Sequence, residues 1–391
     1  MIGTRRAAFL LFSRPVIEDD EIAEVVDCLK SGWITSGPRV ARFEEMVRER
    51  VGAAHAVAVN SATAGLHIAL HALGAGPGDE VVVPSITWAS TANAVELLGA
   101  RAVLADVDPR TLQLDPADVA RRLTPRTRAV IPVHYAGAPA DTDAIHAAVA
   151  GRSVTVIEDA AHAIGTSYRG RAVGGGGAIA VFSFHPIKNI TTGEGGMVVC
   201  HDAALAERLR LLRFHGVSKD AWKRYARGGT PQYEVVEPGY KYNMLDIQAA
   251  LGVVQLPKLD RFIAARRALA ERYDDLLADL PGVRPIDRVD YPSEHAWHLY
   301  VVRLRLEALA ADRDTIIGDL AEENVGAGLH FTALHRHAYY REKYGYAPGD
   351  LPHASAASDE ILSLPLYPGL TAADQDDVVR ALRAVLLRRA A

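Results

Sequence analysis

Cysteine is nearly absent from this 391-residue chain: Cys28 and Cys200 are too few for a disulfide framework or a cysteine-rich zinc site. That usage fits a reducing, cytoplasmic setting. Long apolar runs are missing as well. The best candidate for a spanning helix is broken by Asn60, His67 and His71, short of the roughly 20 apolar residues a bilayer requires. The segment Thr4-Arg5-Arg6-Ala7-Ala8-Phe9-Leu10 has the twin arginine of an export signal. Its apolar run ends at Phe12, however, and passes into Ser13-Arg14-Pro15 with no small-residue cleavage site, so a cytoplasmic protein is expected. No basic stripe is present, and 43 Lys+Arg against 48 Asp+Glu give a net charge of −5. That balance argues against nucleic-acid and membrane-surface partners.

Several chemical signatures are also missing. The chain has 15 histidines, His335-Arg336-His337 being the closest spacing, but no HExxH pair, so no metal is expected. The glycines at 174–177 lack the spacing and the following helix of a dinucleotide fingerprint. Thr192-Gly193-Glu194-Gly195-Gly196 lacks the Gly-Lys-Ser/Thr ending of a Walker loop, and no G-x-S-x-G elbow occurs.

What is present is a globular composition, 49% hydrophobic and 23% charged, long enough for two or three domains. From Val57 to Val199 short β-branched runs alternate with helical patterns. The runs include Ala56–Val59, Val81–Val83, Ala102–Leu104, Ala129–Val133, Val154–Ile157, Ile179–Phe182 and Gly196–Val199. Continuous apolar runs mark strands buried on both faces, which predicts an α/β protein with a mostly parallel sheet flanked by helices. Composition changes after about Gln255, so the expected division is a large cofactor-binding domain, 1–255, and a smaller C-terminal α+β domain, 256–391.

Glu158 to Gly196 is the stretch richest in chemistry. Ligands of open α/β sheets gather at the carboxyl ends of strands, where Glu158-Asp159-Ala160-Ala161-His162 stands. Lys188 lies between an apolar strand and a Gly-rich turn, an unusual place for a lysine. Of the seven lysines, Lys30 and Lys258 have amphipathic helical contexts, and Lys219, Lys223 and Lys343 sit in polar segments. Lys188 is therefore the best candidate for a reactive amine and Lys241 a distant second, the bland alternative being a lysine that caps a turn. Asn60-Ser61-Ala62-Thr63-Ala64-Gly65 opens a helix after a strand, as a phosphate cradle or an ordinary N-cap. Trp88 lies just beyond a strand end, placed to stack on a flat ring or to fill the core. Asp159 suits a protonated ring nitrogen or a structural ion pair. Lysine, carboxylate, aromatic platform and phosphate cradle are together the parts that pyridoxal phosphate chemistry needs.

With these residues, the chain resembles the sugar-aminotransferase branch of the fold-type I pyridoxal-phosphate enzymes. The likeness runs from Ser13-Arg14-Pro15 and Ser31–Pro38 through Pro132–Asp141, Glu158–Gly165 and Ser183–Gly196. It continues in Gly239–Asn243, His295–Leu299, Gly328–Phe331 and Leu364–Pro368. Within the branch it most resembles the nucleotide-sugar 4-aminotransferases, such as those making UDP-4-amino-4-deoxy-L-arabinose. The resemblance implies that Lys188 carries the cofactor as a Schiff base and moves protons, while Asp159 pairs with the ring nitrogen. It places His162 near the ring face or its 3-hydroxyl, and Trp88 in a stack on the ring. Ala62, Thr63 and Ser183 would hold the phosphate, completed by Asn243 from a neighbouring subunit. Many relatives carry asparagine at the position of Lys241, so Lys241 and Asn243 both stand as candidates for that last contact. His330 and His335 would meet the sugar or its diphosphate.

The expected partners are thus small molecules, L-glutamate and a UDP- or dTDP-linked 4-keto sugar, handled by a homodimer with shared active sites. Alternatives are amination at C3 and a non-catalytic binding relic of the same fold. A sugar dehydratase, in which histidine typically replaces the lysine, is disfavoured by Lys188.

Overall fold

A computed structural model of the chain describes residues 5–177, 179–217 and 232–391. Lys219 and Lys223 lie outside the described residues. Seven strands form the central sheet: β1 (His55–Val59), β2 (Glu80–Pro84), β3 (Arg101–Ala105), β4 (Thr127–Val130), β5 (Thr155–Asp159), β6 (Ile179–Ser183) and β7 (Gly196–Cys200). Their order is β1-β7-β6-β5-β4-β2-β3. Every pairing is parallel except those of β7, which runs antiparallel to both β1 and β6. The central strands are buried along their length, which accounts for their unbroken Val/Ile/Ala runs. The strand expected to reach Val133 stops at Val130. Pro132 has no N–H to give a ladder, although its carbonyl still accepts from Asp159 N at 2.8 Å.

The helices are α1 (Asp19–Lys30), α2 (Pro38–Val51), α3 (Ala62–Ala72), α4 (Ala89–Glu96), α5 (Pro116–Arg122), α6 (Thr142–Ala148) and α7 (Ala203–Leu212). Then come α8 (Asp246–Gln255), α9 (Leu259–Leu277), α10 (Arg313–Glu322), α11 (Ala338–Tyr344), α12 (Pro352–Glu360) and α13 (Ala372–Arg388). Helices α1 and α2 precede the strand–helix alternation. An ionic knot fastens α1 through Lys258, whose Nζ lies 2.5 to 2.8 Å from Glu18, Asp20 and the fully buried Glu21. Among the described residues no helix is long and apolar enough to cross a membrane.

A second, antiparallel sheet joins β8 (Val283–Pro285), β9 (Tyr300–Leu304) and β10 (Ile361–Leu364) in the order β8-β9-β10. Its core draws Tyr273 and Leu277 from α9, Ile316 and Leu320 from α10, and Val378, Leu382 and Val385 from α13. Leu10 crosses from the N-terminus to join it, bridging to Val325. The chain then turns back toward the large sheet. Phe331, Leu334, Tyr340, Ala354 and Ala357 belong to the same apolar cluster as β1, β2 and α3. Glu96 on α4 ties α11 down by accepting hydrogen bonds from Tyr339 (2.9 Å), Lys343 (2.5 Å) and Tyr344 (2.5 Å). This return path carries residues 330–335 to the carboxyl ends of the strands.

Candidate active site

Asp159 is the last residue of β5 and is almost fully buried. Its Oδ2 accepts from Thr91 Oγ1 at 2.8 Å and its Oδ1 from Ala161 N at 3.1 Å. Thr91 in turn meets Thr87 Oγ1 at 2.8 Å. Burial pushes the Asp159 carboxyl up, opposed by these hydrogen bonds and by the charges of Lys188 and His134. Among the described residues no cation lies within ion-pair distance of it.

Lys188 stands in the turn between β6 and β7, with its N–H donated to His185 O at 2.9 Å. Its Nζ lies 3.4 Å from His298 Nε2. Burial pushes the amine down to about 8, against the opposing charge of Asp159, so an appreciable neutral fraction exists near neutral pH. His162 packs beside it, its ring 4.3 Å from that of His298, and its buried Nδ1 has no partner among the described residues. Phe331 links this inner layer to the mouth: its ring is 5.9 Å from His162 and 5.8 Å from Trp88. Trp88, the N-cap residue of α4, is 62% exposed and presents an open aromatic surface.

The phosphate candidates meet through sheet register. Ser183 ends β6 and pairs with Gly196, which opens β7. Gly196 in turn abuts the start of α3: a Cβ there would lie 2.6 Å from Ala62 N, so a side chain at this position would fill the junction. Ala62 and Thr63 are the first residues of α3, where backbone N–H groups lack intrahelical acceptors. Ser61 satisfies one of them, its Oγ accepting from Ala64 N at 3.1 Å.

Asn243 bridges to Val59, and the neighbouring Tyr242 carbonyl accepts from Asn60 N at 2.7 Å. The chain's own fold thus brings Asn243 to the end of β1, its amide donating to Ser36 Oγ at 2.7 Å. Lys241 is turned elsewhere, with its Nζ 4.1 Å from the centre of the Phe214 ring.

His330 reaches the inner layer. Its Nδ1 meets Ser363 Oγ at 2.9 Å, its carbonyl accepts from Tyr135 Oη, and burial pushes the imidazole down to about 3. His335 departs from its expected role. Its Nδ1 meets Ser85 Oγ at 2.7 Å and its Nε2 meets Ser355 Oγ at 2.8 Å. With both ring nitrogens taken and 1% exposure, it is a packing bridge with no free nitrogen for a substrate.

Three residues of the site carried no local signal. His298 lies inside the His295–Leu299 segment, but its spacing gave it no role. Phe331 ends the Gly328–Phe331 segment, and the local sequence assigns neither it nor Thr91 a role. Their functional neighbours are 110 positions away for His298 and 68 for Thr91.

The arrangement fits pyridoxal phosphate on the chain's own chemistry. A buried carboxylate without a cation suits a protonated ring nitrogen, and a buried amine of lowered basicity suits an aldehyde. Exposed aromatic surface suits a flat ring, and a helix start beside Gly196 suits a phosphate.

The sequence profile of the DegT/DnrJ/EryC1/StrS aminotransferase family matches residues 15–383. Among solved structures the chain is similar to Spr1654 of Streptococcus pneumoniae, assigned as a sugar aminotransferase and solved in PLP and PMP forms. In the PMP form the identity is 31% over 97% of this chain and 99% of that one, with a TM-score of 0.90. It is likewise similar to DesV of S. venezuelae, solved with a ketimine intermediate, at 35% identity over 94% of each chain and a TM-score of 0.85. PseC of Helicobacter pylori, an aminotransferase in the biosynthesis of pseudoaminic acid, is 27% identical over 97% of this chain and 100% of its own, with a TM-score of 0.89.

Proposed function

The chain belongs to the DegT/DnrJ/EryC1/StrS aminotransferase family, and from that premise we propose that it moves the amino group of L-glutamate to the 4-keto group of a nucleotide-linked sugar. It is a pyridoxal-phosphate-dependent sugar aminotransferase of the fold-type I architecture. The product would be a 4-amino-4-deoxy nucleotide sugar, with UDP-4-keto-pentose and dTDP-4-keto-6-deoxyglucose as the two substrates to compare. The observation that carries the reading is the buried pair of Lys188 and Asp159, one amine and one carboxylate with opposed tasks.

Pyridoxal phosphate, when bound, supplies the electron sink that stabilises charge on the carbon bearing the amino group. Asp159 would hold the proton on its ring nitrogen, with Thr91 and the Ala161 N–H keeping the carboxylate aimed. Ala62, Thr63 and Ser183 would take its phosphate, and Trp88, Phe331 and His162 would bound its ring and exclude water. Lys188 Nζ, whose basicity burial lowers far enough to leave a neutral fraction near neutral pH, would take a proton from the glutamate Cα and deliver one to the sugar carbon. His330, neutral and close to this amine, is a candidate contact for the sugar.

A homodimer completes the reading. Ile22, Val26 and Leu29 make an exposed apolar stripe at helical spacing on α1, and Ile34 and Leu245 are exposed as well. In that dimer Asn243, rather than the Phe214-stacked Lys241, would complete the phosphate cup. The proposed location is the cytoplasm.

The test is an absorbance spectrum of the holoenzyme before and after L-glutamate, followed by separate UDP- and dTDP-4-keto sugars. Glutamate should abolish the cofactor's aldehyde-form band, and one sugar should restore it, with NMR of the product placing nitrogen on C4. A product aminated at C3 would replace the proposed position, and a band indifferent to glutamate would overturn the donor.

A further inference from the structure

The segment 296–299 passes behind Lys188 and is restrained from several sides. Asn189, next in sequence to the lysine, donates from Nδ2 to Ala296 O at 2.6 Å. Ala296 N and Leu299 N donate to Gly137 O at 3.0 Å and Ala136 O at 3.1 Å. Gly137 is needed there: its φ is +98°, and a Cβ would lie 2.9 Å from His298 N. Trp297 adopts φ +52°, a left-handed conformation that a bulky residue keeps only when its surroundings impose it. Arg266 supplies that restraint. Its guanidinium Nη1 donates to the carbonyls of Trp297 (3.3 Å), His298 (3.2 Å) and Leu366 (2.8 Å). The side chain is fully buried and among the described residues has no carboxylate partner, an expensive way to fix three carbonyls unless their position matters.

The result of this bracing is one placement, His298 Nε2 at 3.4 Å from Lys188 Nζ. We infer that His298 is a positioning residue for Lys188, its Nε2 accepting a hydrogen bond from the lysine amine and fixing where that amine points. The ring then carries its proton on Nδ1, a buried atom with no partner among the described residues. A buried polar atom left unpaired calls for a cause, and a catalytic setting is one. His298 itself does not titrate in the working range, because burial and the charge of Lys188 hold it well below the usual histidine range. It therefore orients the amine without exchanging a proton with it. The other described groups that feel the amine are Asp159, which favours its charged form, His162 and His330, both held neutral by burial, and His185, which burial also lowers.

This inference rests on the reading of Lys188 as the cofactor-bearing amine, and the experiment separates the two. Cofactor-free full-length protein is trace-labelled with acetic anhydride across pH 6 to 10, and the Lys188 peptide is quantified by mass spectrometry. The same samples are mixed with pyridoxal 5′-phosphate, and capture at Lys188, with loss of water, is trapped by borohydride. In His298→Leu the labelling midpoint should fall below the wild-type value of about 8, since an apolar group replaces the acceptor that favours the ammonium. Capture should nonetheless slow on the order of tenfold, because an amine more often neutral is less often aimed. His298→Gln, which keeps an acceptor at similar reach, should restore both readouts, and the shorter His298→Asn should not. If His298→Leu fails to fold, the Gln and Asn pair decides. Capture as fast in His298→Leu as in wild type, an unmoved or raised midpoint, or equal behaviour of Gln and Asn would overturn the positioning role alone. Wild-type protein that captures nothing at Lys188 would overturn the functional reading and this inference with it.

Discussion

Thr91 Oγ1 donates to Asp159 Oδ2 across 2.8 Å, so the buried carboxylate of the site is held by a hydroxyl and a backbone N–H in place of a cation. A carboxylate kept in that state has its strongest interaction still to make, which is why its neighbours are informative to change.

Thr91→Val keeps the shape of the side chain and removes the donor. Asp159 should then titrate higher still, since burial remains and one compensating hydrogen bond is gone. Affinity for pyridoxal phosphate should weaken by about 1.5–3 kcal/mol, the cost of a lost hydrogen bond to a charged group. Fluorescence titration of cofactor-free protein measures it, and unchanged affinity would refute the role given to Thr91.

Lys188→Met should abolish turnover and yet stabilise the cofactor-free protein. The lysine has a folded pKa of about 8 against an ordinary 10.5, so the folded state binds fewer protons between those values. The penalty is therefore fully present below pH 8 and fades as pH rises toward 10.5. Chemical denaturation should show the variant ahead by up to about 3 kcal/mol at pH 7, with the gap closing at high pH. A gap constant with pH would contradict the buried-amine assignment.

Gly196→Ala tests the phosphate junction. The added methyl would lie 2.6 Å from Ala62 N, so the start of α3 must shift. Cofactor retention through dialysis should fall far more than the melting temperature. Full retention would place the phosphate elsewhere.

His335→Phe separates packing from chemistry. Removing both of its serine bonds leaves the buried Ser85 hydroxyl without its acceptor, while Ser355 keeps Pro348 O, and should cost about 1–3 kcal/mol of stability. The KM for the keto sugar should hold in the folded fraction, and a large rise in KM would return His335 to the substrate site.

The strands of the large sheet are legible in the chain's apolar runs, because residues buried on both faces must be apolar without a break, although the run to Val133 ends as a strand at Val130. The sequence also singles out Lys188, Asp159 and the Ser61–Thr63 helix start as candidates, because they sit at strand ends, while leaving open a turn cap, an ion pair and an ordinary N-cap. Which distant residues stand beside these candidates depends on how the chain packs. His298 reaches Lys188 only because Arg266 and Gly137 fix a backbone 110 positions downstream of it. Thr91 reaches Asp159 because β2 and β5 both flank β4, which carries the turn after β2 toward the end of β5. The same physics separated two histidines with similar sequence surroundings. His330 follows the return of the chain into the inner layer, whereas His335 is stapled between two serines. Local sequence records which groups a residue offers; only the packed chain determines which of them remain unspent.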